Sequence, residues 1–346
     1  MERISSARYF IGLEEEGVIN FGSGQPDLPP PEEVLNTGAG SFKYSPIEGD
    51  KVLRAKLAEL HEMEPDNFII TNGASEALNL AINRSIMPGD KVLLTRPYYY
   101  SYPDLVMFNH GIPIYTELVD GKIDIEDFGE KLKYAKIAIV NSPGNPTGSV
   151  QDKEVLKTIE DMCNSEEKTL IFDEVYDNLI YKGEHYSPRG KFIANINSFS
   201  KTYSMCGDRV GYLYSENGIV SRMVDHKTHS SMNAPNTSQA KAIAALDVSD
   251  EFRNERLQVW RERRDLIYGL LTDMGLDVWS PDGAFYIFPK VPDPDRTVED
   301  LFFDHKIITY KGKWFGAPDR IRISYPMEKE KIIEGMGRLK GYLDRL

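Results

Sequence analysis

At 346 residues, 41% of them hydrophobic, the chain can hold one large domain or two of ordinary size and bury a substantial core. A net charge of −13 argues against a nucleic-acid surface, so an anionic ligand would have to be met by a local basic pocket. No stretch is long and apolar enough to cross a bilayer, which argues against a membrane protein.

The amino-terminal "MERISSARYFIGLEEEG" carries acidic residues where a signal peptide has its apolar run, so a cytoplasmic protein is expected. Next comes "SGQPDLPPPEEV", whose prolines rule out a helix interior. From about residue 66 to 215, the short apolar runs "NFIIT", "KVLLT", "KIAIV", "TLIFD" and "NINSFS" alternate with helix-sized segments. That rhythm predicts βα units and an α/β fold with a mostly parallel central sheet. After about residue 246 the texture changes. "EFRNERLQVWRERRDLIYGLLTDMG" reads as a long amphipathic helix with Trp260, Ile267, Leu270, Leu271 and Met274 at helical spacing. Strand-like "GAFYIFPKV" and "RIRISY" follow, then a last helix with Ile332, Ile333, Met336, Leu339 and Leu343 on one face. The expected division is a large domain over residues 40–245 and a smaller α+β domain built from residues 1–39 and 246–346.

In parallel sheets ligands gather at the carboxyl ends of the strands, so the polar residues there carry the functional signal. After "NFIIT", Gly73-Ala74-Ser75 opens a helix whose free N–H groups and dipole suit an anion. After "KVLLT" stand the rings of Tyr98, Tyr99 and Tyr100, suited either to packing or to a ligand platform. "KIAIV" runs into Asn141, Pro143, Asn145, Pro146 and Gly148: a turn, or a rigid mount from which the Asn145 amide donates to a ligand. "TLIFD" ends on Asp173, either a helix N-cap or a fixed negative charge awaiting a cationic ligand atom, with Tyr176 close by. Finally "SFSKTYSMCGDRVGY" sets Lys201 behind Ser198 and Ser200, with Arg209 eight residues on. Partial desolvation near another cation favours a neutral amine in a lysine, the form that Schiff-base chemistry needs. Serine hydroxyls, a helix start and a guanidinium make a phosphate cradle. Phosphate site, fixed carboxylate, reactive lysine and aromatic platform together meet the needs of pyridoxal 5′-phosphate (PLP). The two cysteines, Cys163 and Cys206, show neither a disulfide framework nor metal-ligand spacing, and no metal is expected.

These motifs, in this order from "FGSGQPDLPPP" to "RIRISYP", resemble the class I/II aminotransferases of the fold-type I PLP enzymes. The resemblance implies the three-layer PLP-transferase fold and a homodimer with shared active sites. It implies transfer of an amino group between an L-amino acid and a 2-oxo acid by a ping-pong mechanism. Lys201 is similar to the lysine that forms the internal aldimine and moves the proton. Asp173 resembles the partner of the pyridinium nitrogen, and Asn145 and Tyr176 the donors to the phenolate oxygen. Gly73, Ala74, Ser75, Ser198 and Arg209 fall at the phosphate, and Tyr99 at the stacked ring, where many aspartate aminotransferases carry tryptophan. Tyr44, in "YSPIEGDKVLRAKLA", matches the tyrosine that reaches the neighbouring subunit's phosphate. Arg322 resembles the arginine that grips the substrate α-carboxylate, beside Gly24 of the amino-terminal arm. No motif marks a second arginine for a distal carboxylate.

Other readings share parts of this pattern. Ser198 to Lys201 is formally S-x-x-K, but the S-D-N and K-T-G partners of the serine acyl-enzymes are missing. A PLP-binding DNA regulator would need a helix-turn-helix, for which no segment remains. A C–S lyase or a cyclopropane-forming synthase on the same fold would keep most of these residues, and remains the alternative.

Overall fold

The carboxyl ends of the predicted strands do converge, because four of the five runs between residues 66 and 215 lie side by side and parallel. The computed structural model describes residues 4–13, 15–38, 40–216 and 218–346. Part of the acidic amino-terminal stretch, and Ala39 at the expected domain boundary, lie outside the described residues. The strands in chain order are β1 (Ile19–Asn20), β2 (Phe68–Thr71), β3 (Lys91–Arg96), β4 (Ile112–Val119), β5 (Lys122–Ile123), β6 (Ile137–Asn141) and β7 (Thr169–Asp173). They continue with β8 (Ile193–Ser198), β9 (Gly211–Tyr214), β10 (Tyr286–Ile287), β11 (Ile307–Ile308), β12 (Tyr310–Lys311) and β13 (Ile321–Ser324). The large sheet runs β2-β9-β8-β7-β6-β3-β4-β5. Strands β4, β3, β6, β7 and β8 are parallel, while β9 runs against both β8 and β2.

Both faces of this sheet are covered, which is why its strands read as unbroken apolar runs rather than alternating ones. Ile139, Ile171 and Ile196 point to one side, into a core shared with Leu78, Ala81 and Ile82 of helix Gly73–Ser85. Val140, Leu170 and Phe172 point to the other, against Phe128 and Leu156 of helices Ile125–Leu132 and Lys153–Ser165. The result is three layers. Helix starts follow local chemistry: Asp50 caps Lys51–His61 by accepting from the N–H groups of Val52 and Leu53, and Asp124 does the same for Ile125–Leu132.

A separate core joins Ile19 and Phe21 of the arm to Trp260, Ile267, Ile323, Ile332 and Met336. Strand β1 pairs in parallel with β11, and β13 lies between β10 and β12. Val34, farther along the arm, instead packs with Leu53, Leu57 and Phe68 beside the large sheet. The long helix spans Asp250–Asp273 and buries Trp260, Ile267 and Leu271. In the last helix, Lys329–Leu343, Ile332, Met336 and Leu339 are buried. Ile333 is 52% exposed, because it lies one residue (about 100°) around the helix from Ile332 and off the stripe.

Candidate active site

Register brings the site together. Asn141 of β6 lies opposite Asp173 of β7, and Ser198 of β8 opposite Gly211 of β9. The loops that leave these strand ends enclose a cavity of about 310 Å³ lined by Gly24, Ala74, Ser75, Tyr99, Asn145, Asp173, Tyr176, Ser198, Lys201, Arg209 and Arg322. Of the residues that the family resemblance assigns to the site, Gly73 and Tyr44 are not on its wall.

Lys201 sits in the single helical turn Phe199–Thr202, begun by Ser198, whose hydroxyl accepts from the Ser200 N–H. Its Nζ donates to the carbonyl of Gly24 at 2.6 Å and lies about 6 Å from the rings of Tyr176 and Phe285. Asp173 is almost wholly buried, and burial pushes its carboxyl up to about 6. The Tyr102 hydroxyl, donating to Oδ2 at 2.6 Å, and the Val175 N–H, at 3.3 Å from Oδ1, only partly offset that cost. Asp173 therefore caps the turn that follows β7 and makes no salt bridge among the described residues, the Lys201 charge acting on it only weakly. Tyr176 is buried with its hydroxyl 2.7 Å from that of Tyr286, and burial raises its phenol well above 10.

Three groups gather where a phosphate would sit. Ser198 and Ser200 hydroxyls lie 2.9 Å apart, and Arg209, held in a left-handed backbone conformation, donates from Nη1 to the carbonyl of Cys206. The third is the turn into helix Gly73–Ser85. Gly73 has φ +73°, and a Cβ there would stand 2.5 Å from Arg209 Nη2, so this close approach requires glycine. Gly73 thus backs the arginine rather than lining the cavity. The turn is braced from behind by Glu76, which accepts from the Asn72 N–H at 2.6 Å and from buried Lys227 at 2.8 Å.

Arg322, on β13, faces Tyr310 of β12 across the ladder. Its guanidinium carbon lies 4.7, 4.6 and 4.9 Å from the ring centres of Tyr286, Tyr310 and Phe315. Nη1 donates to Asn145 Oδ1 at 3.2 Å and Nη2 to the carbonyl of Gly22, while Nε is buried without a partner. With Oδ1 of Asn145 so engaged, its amide nitrogen is the group left to donate. Tyr44 is 81% exposed and away from this cavity.

Sequence reasoning missed Tyr102, Tyr286 and Tyr310 as parts of the wall. Tyr102 had a signal: it lies one helical turn after Tyr99, and its ring meets that of Tyr99 edge-on at 5.4 Å. Tyr310 and Tyr286 had none, since only the pairing of β13 with β10 and β12 brings them to Arg322.

These residues fit PLP by their donor set. A buried carboxylate free to pair with a cation, a lysine amine, and a guanidinium beside free helix N–H groups match the cofactor's ring nitrogen, aldehyde and phosphate. The family profile "Aminotransferase class I and II" matches residues 16–339. A "Probable aspartate aminotransferase" from Methanocaldococcus jannaschii is 35% identical over 97% of this chain and 96% of its own. A "(5-formylfuran-3-yl)methyl phosphate transaminase" from the same organism is 32% identical, covering 96% and 94%. The crystal structure of an aspartate aminotransferase from Thermotoga maritima superposes with a TM-score of 0.90 at 30% identity, over 98% and 95% of the two chains. With the profile spanning nearly the whole chain and the cavity furnished as above, the protein belongs to the class I and II aminotransferase family and is a PLP-dependent aminotransferase.

Proposed function

We propose that this enzyme moves an amino group between an L-amino acid and a 2-oxo acid with Lys201 as its proton carrier. The observation that carries this reading is the convergence of Lys201, Asp173 and Arg209 with Arg322 on one cavity. When bound, PLP supplies an aldehyde for amines to condense with and a ring that accepts the electron pair left at the substrate Cα. Asp173 would face the ring nitrogen and keep it protonated, which also gives this carboxylate an ion-pair partner. Tyr99 would lie against the ring, and the Asn145 amide and Tyr176 hydroxyl would donate to its phenolate oxygen. Ala74, Ser75, Ser198 and Arg209 would hold the phosphate, with Gly73 making room for the guanidinium. Arg322, helped by Asn145 and Gly24, would take the α-carboxylate. Lys201 would then remove the proton from Cα and return it elsewhere, alternating between amino donor and oxo-acid acceptor.

Tyr44, exposed in this chain, would serve the phosphate of a second copy, making the enzyme a homodimer with shared sites. Full activity in a monomer at assay concentration would overturn that assignment. The chain would divide into a large cofactor-binding part and a smaller part joining the arm to residues 246–346, with Val34 siding with the former. No helix among the described residues is long and apolar enough to cross a membrane, and both cysteines are free thiols, which supports placement in the cytoplasm.

The test is Lys201→Ala. Borohydride should fix the cofactor to the wild-type chain, seen as a mass increase, and should fix none to the variant. Turnover should fall by about 10²–10⁴-fold or more, the contribution of a positioned acid–base group. Normal turnover in the variant would refute the assignment.

A further inference from the structure

The helix that opens the phosphate cradle begins without the cap its sequence offers. Asn72 stands at the N-cap of helix Gly73–Ser85, yet its side chain accepts from none of the helix's first N–H groups. An N-cap asparagine ordinarily takes the N–H of the second or third helical residue. Here those residues are Ala74 and Ser75, both on the cavity wall. The Asn72 amide instead donates to Glu76 Oε2 at 3.0 Å, and the Asn72 backbone N–H donates to the same oxygen at 2.6 Å. A capping box would exchange bonds in both directions. Only the half that fixes the chain is made, and the half that would occupy the helix N–H groups is not.

Glu76 is itself held from a distant helix. Lys227, near the end of helix Ile219–Ser230, donates to its Oε2 at 2.8 Å, and the Ser231 hydroxyl donates to Oε1. Burial alone would raise the Glu76 carboxyl, yet Lys227, Ser231 and Asn72 bring it below its ordinary 4.5, so it is ionised at neutral pH. An ionised carboxylate behind the turn would repel a phosphate unless a cation offset it. The Lys227 side chain has no exposed surface in the single chain, so this pairing does not depend on what a second copy adds to the cradle. We infer that Glu76 and Lys227 are positioning residues for the cofactor phosphate, given the phosphate placement proposed above. Glu76 keeps Asn72 turned from the helix start and so leaves the Ala74 and Ser75 N–H groups to the phosphate. Lys227 holds Glu76 in that posture and cancels its charge.

The experiment compares binding of PLP with binding of pyridoxal, which keeps the aldehyde and ring but carries a hydroxyl in place of the phosphate. Dissociation constants are read at pH 8 from the absorbance of each ligand bound to the full chain freed of cofactor, and their ratio isolates the phosphate. Arg209→Ala, which removes a direct phosphate ligand, should reduce the preference for PLP by about 30-fold or more. Lys227→Met leaves Glu76 charged and unpaired, and should reduce it by about 10-fold or more. Glu76→Gln with Lys227→Met keeps an acceptor for Asn72 and removes both charges, so it should stay within about 3-fold of wild type. Glu76→Ala with Lys227→Met has no such acceptor and should fall about 10-fold below that pair, a comparison that holds even if Lys227→Met alone folds poorly. Equal ratios in the two double variants, with Arg209→Ala still lowered, would show that Glu76 and Lys227 serve folding alone and would overturn the inference. So would a Lys227→Met ratio no lower than that of Glu76→Gln with Lys227→Met. A ratio that Arg209→Ala leaves unchanged would overturn the phosphate placement, and the inference with it.

Discussion

Asp173 and Glu174 are neighbours in sequence, equally buried, and opposite in condition. Asp173 has the parity of Ile171 and faces the cavity, with one hydroxyl and one distant N–H for company. Its carboxyl is pushed up to about 6 by burial. Glu174 turns the other way, into a cluster behind the site. Its Oε2 lies 2.7 Å from His185 Nε2 and accepts from Ser187 Oγ at 2.6 Å, and Oε1 accepts from the Tyr214 hydroxyl. Burial alone would raise Glu174 as well, yet His185, Ser187 and Tyr214 bring it below its ordinary 4.5. Next to this cluster His61, 4.3 Å from the Tyr214 ring, is lowered to about 4 by burial and stays neutral. The protein has completed one carboxylate and left the other open. Satisfied buried polar clusters hold a fold together, whereas an open one is kept where a ligand supplies the missing partner.

The largest effect should come from breaking the completed side. Glu174→Ala strands His185, Ser187 and Tyr214 in the interior and should cost about 3–5 kcal/mol of unfolding free energy, read by chemical denaturation. A loss under 1 kcal/mol would mean the cluster is not the anchor described here.

Arg322, whose buried Nε has no partner, is open in the same sense as Asp173. Arg322→Ala should cost about 2–5 kcal/mol in recognition of amino acids, roughly 30- to 5,000-fold in kcat/KM. The corresponding decarboxylated amines should be affected far less. Equal losses for both substrate types would remove the α-carboxylate from the account of Arg322.

Asp173 should show the cost of openness directly. Its folded value lies above the ordinary 3.8, so its contribution to stability is full below about pH 4 and lost as pH rises through about 6. In the cofactor-free protein, Asp173→Asn should therefore be more stable than wild type by on the order of 3 kcal/mol at pH 8, with the gap closing below pH 4. The same change should weaken PLP binding. A variant less stable than wild type at pH 8 would contradict the comparison.

The smallest effect is His185→Phe. Burial opposes the charged imidazole, but Glu174 overrides it and holds His185 above its ordinary 6.5. Stability from this group is thus full below pH 6.5 and fades as pH climbs through the folded value. The substitution should cost about 1.5–3 kcal/mol at pH 6 and less at pH 9. A cost independent of pH would show that His185 acts through packing alone.

The strand runs and the polar residues that end them were legible because periodicity and strand-end position are local properties. So β2, β3, β6, β7 and β8 fall where "NFIIT", "KVLLT", "KIAIV", "TLIFD" and "NINSFS" lie. Strand β4, Ile112–Val119, escaped notice because only Thr116 of its eight residues is buried and its composition is mixed. Lys201, Asp173 and Arg209 could be named from the residues alone, since a charged group at the end of an apolar run stands out.

Much else depended on how distant segments meet. Chain order could say that Asp173 ends a strand, but only the register of β6, β7 and β8 set Asn141 beside it. Sequence put Glu174 next to Asp173 with no hint of its different fate. The strand's twofold alternation turned it to the other face, where residues 11 and 40 positions away complete its hydrogen bonds. Likewise Arg322 was recognisable, but the rings around it come from two separate stretches, Tyr286 from one and Tyr310 and Phe315 from the other. Composition and local pattern determine which chemical groups the chain owns and roughly where its strands end. Which of those groups finds a partner, and which is left open for a ligand, is decided by long-range packing, because an electrostatic environment belongs to a place in space rather than to a position in the chain.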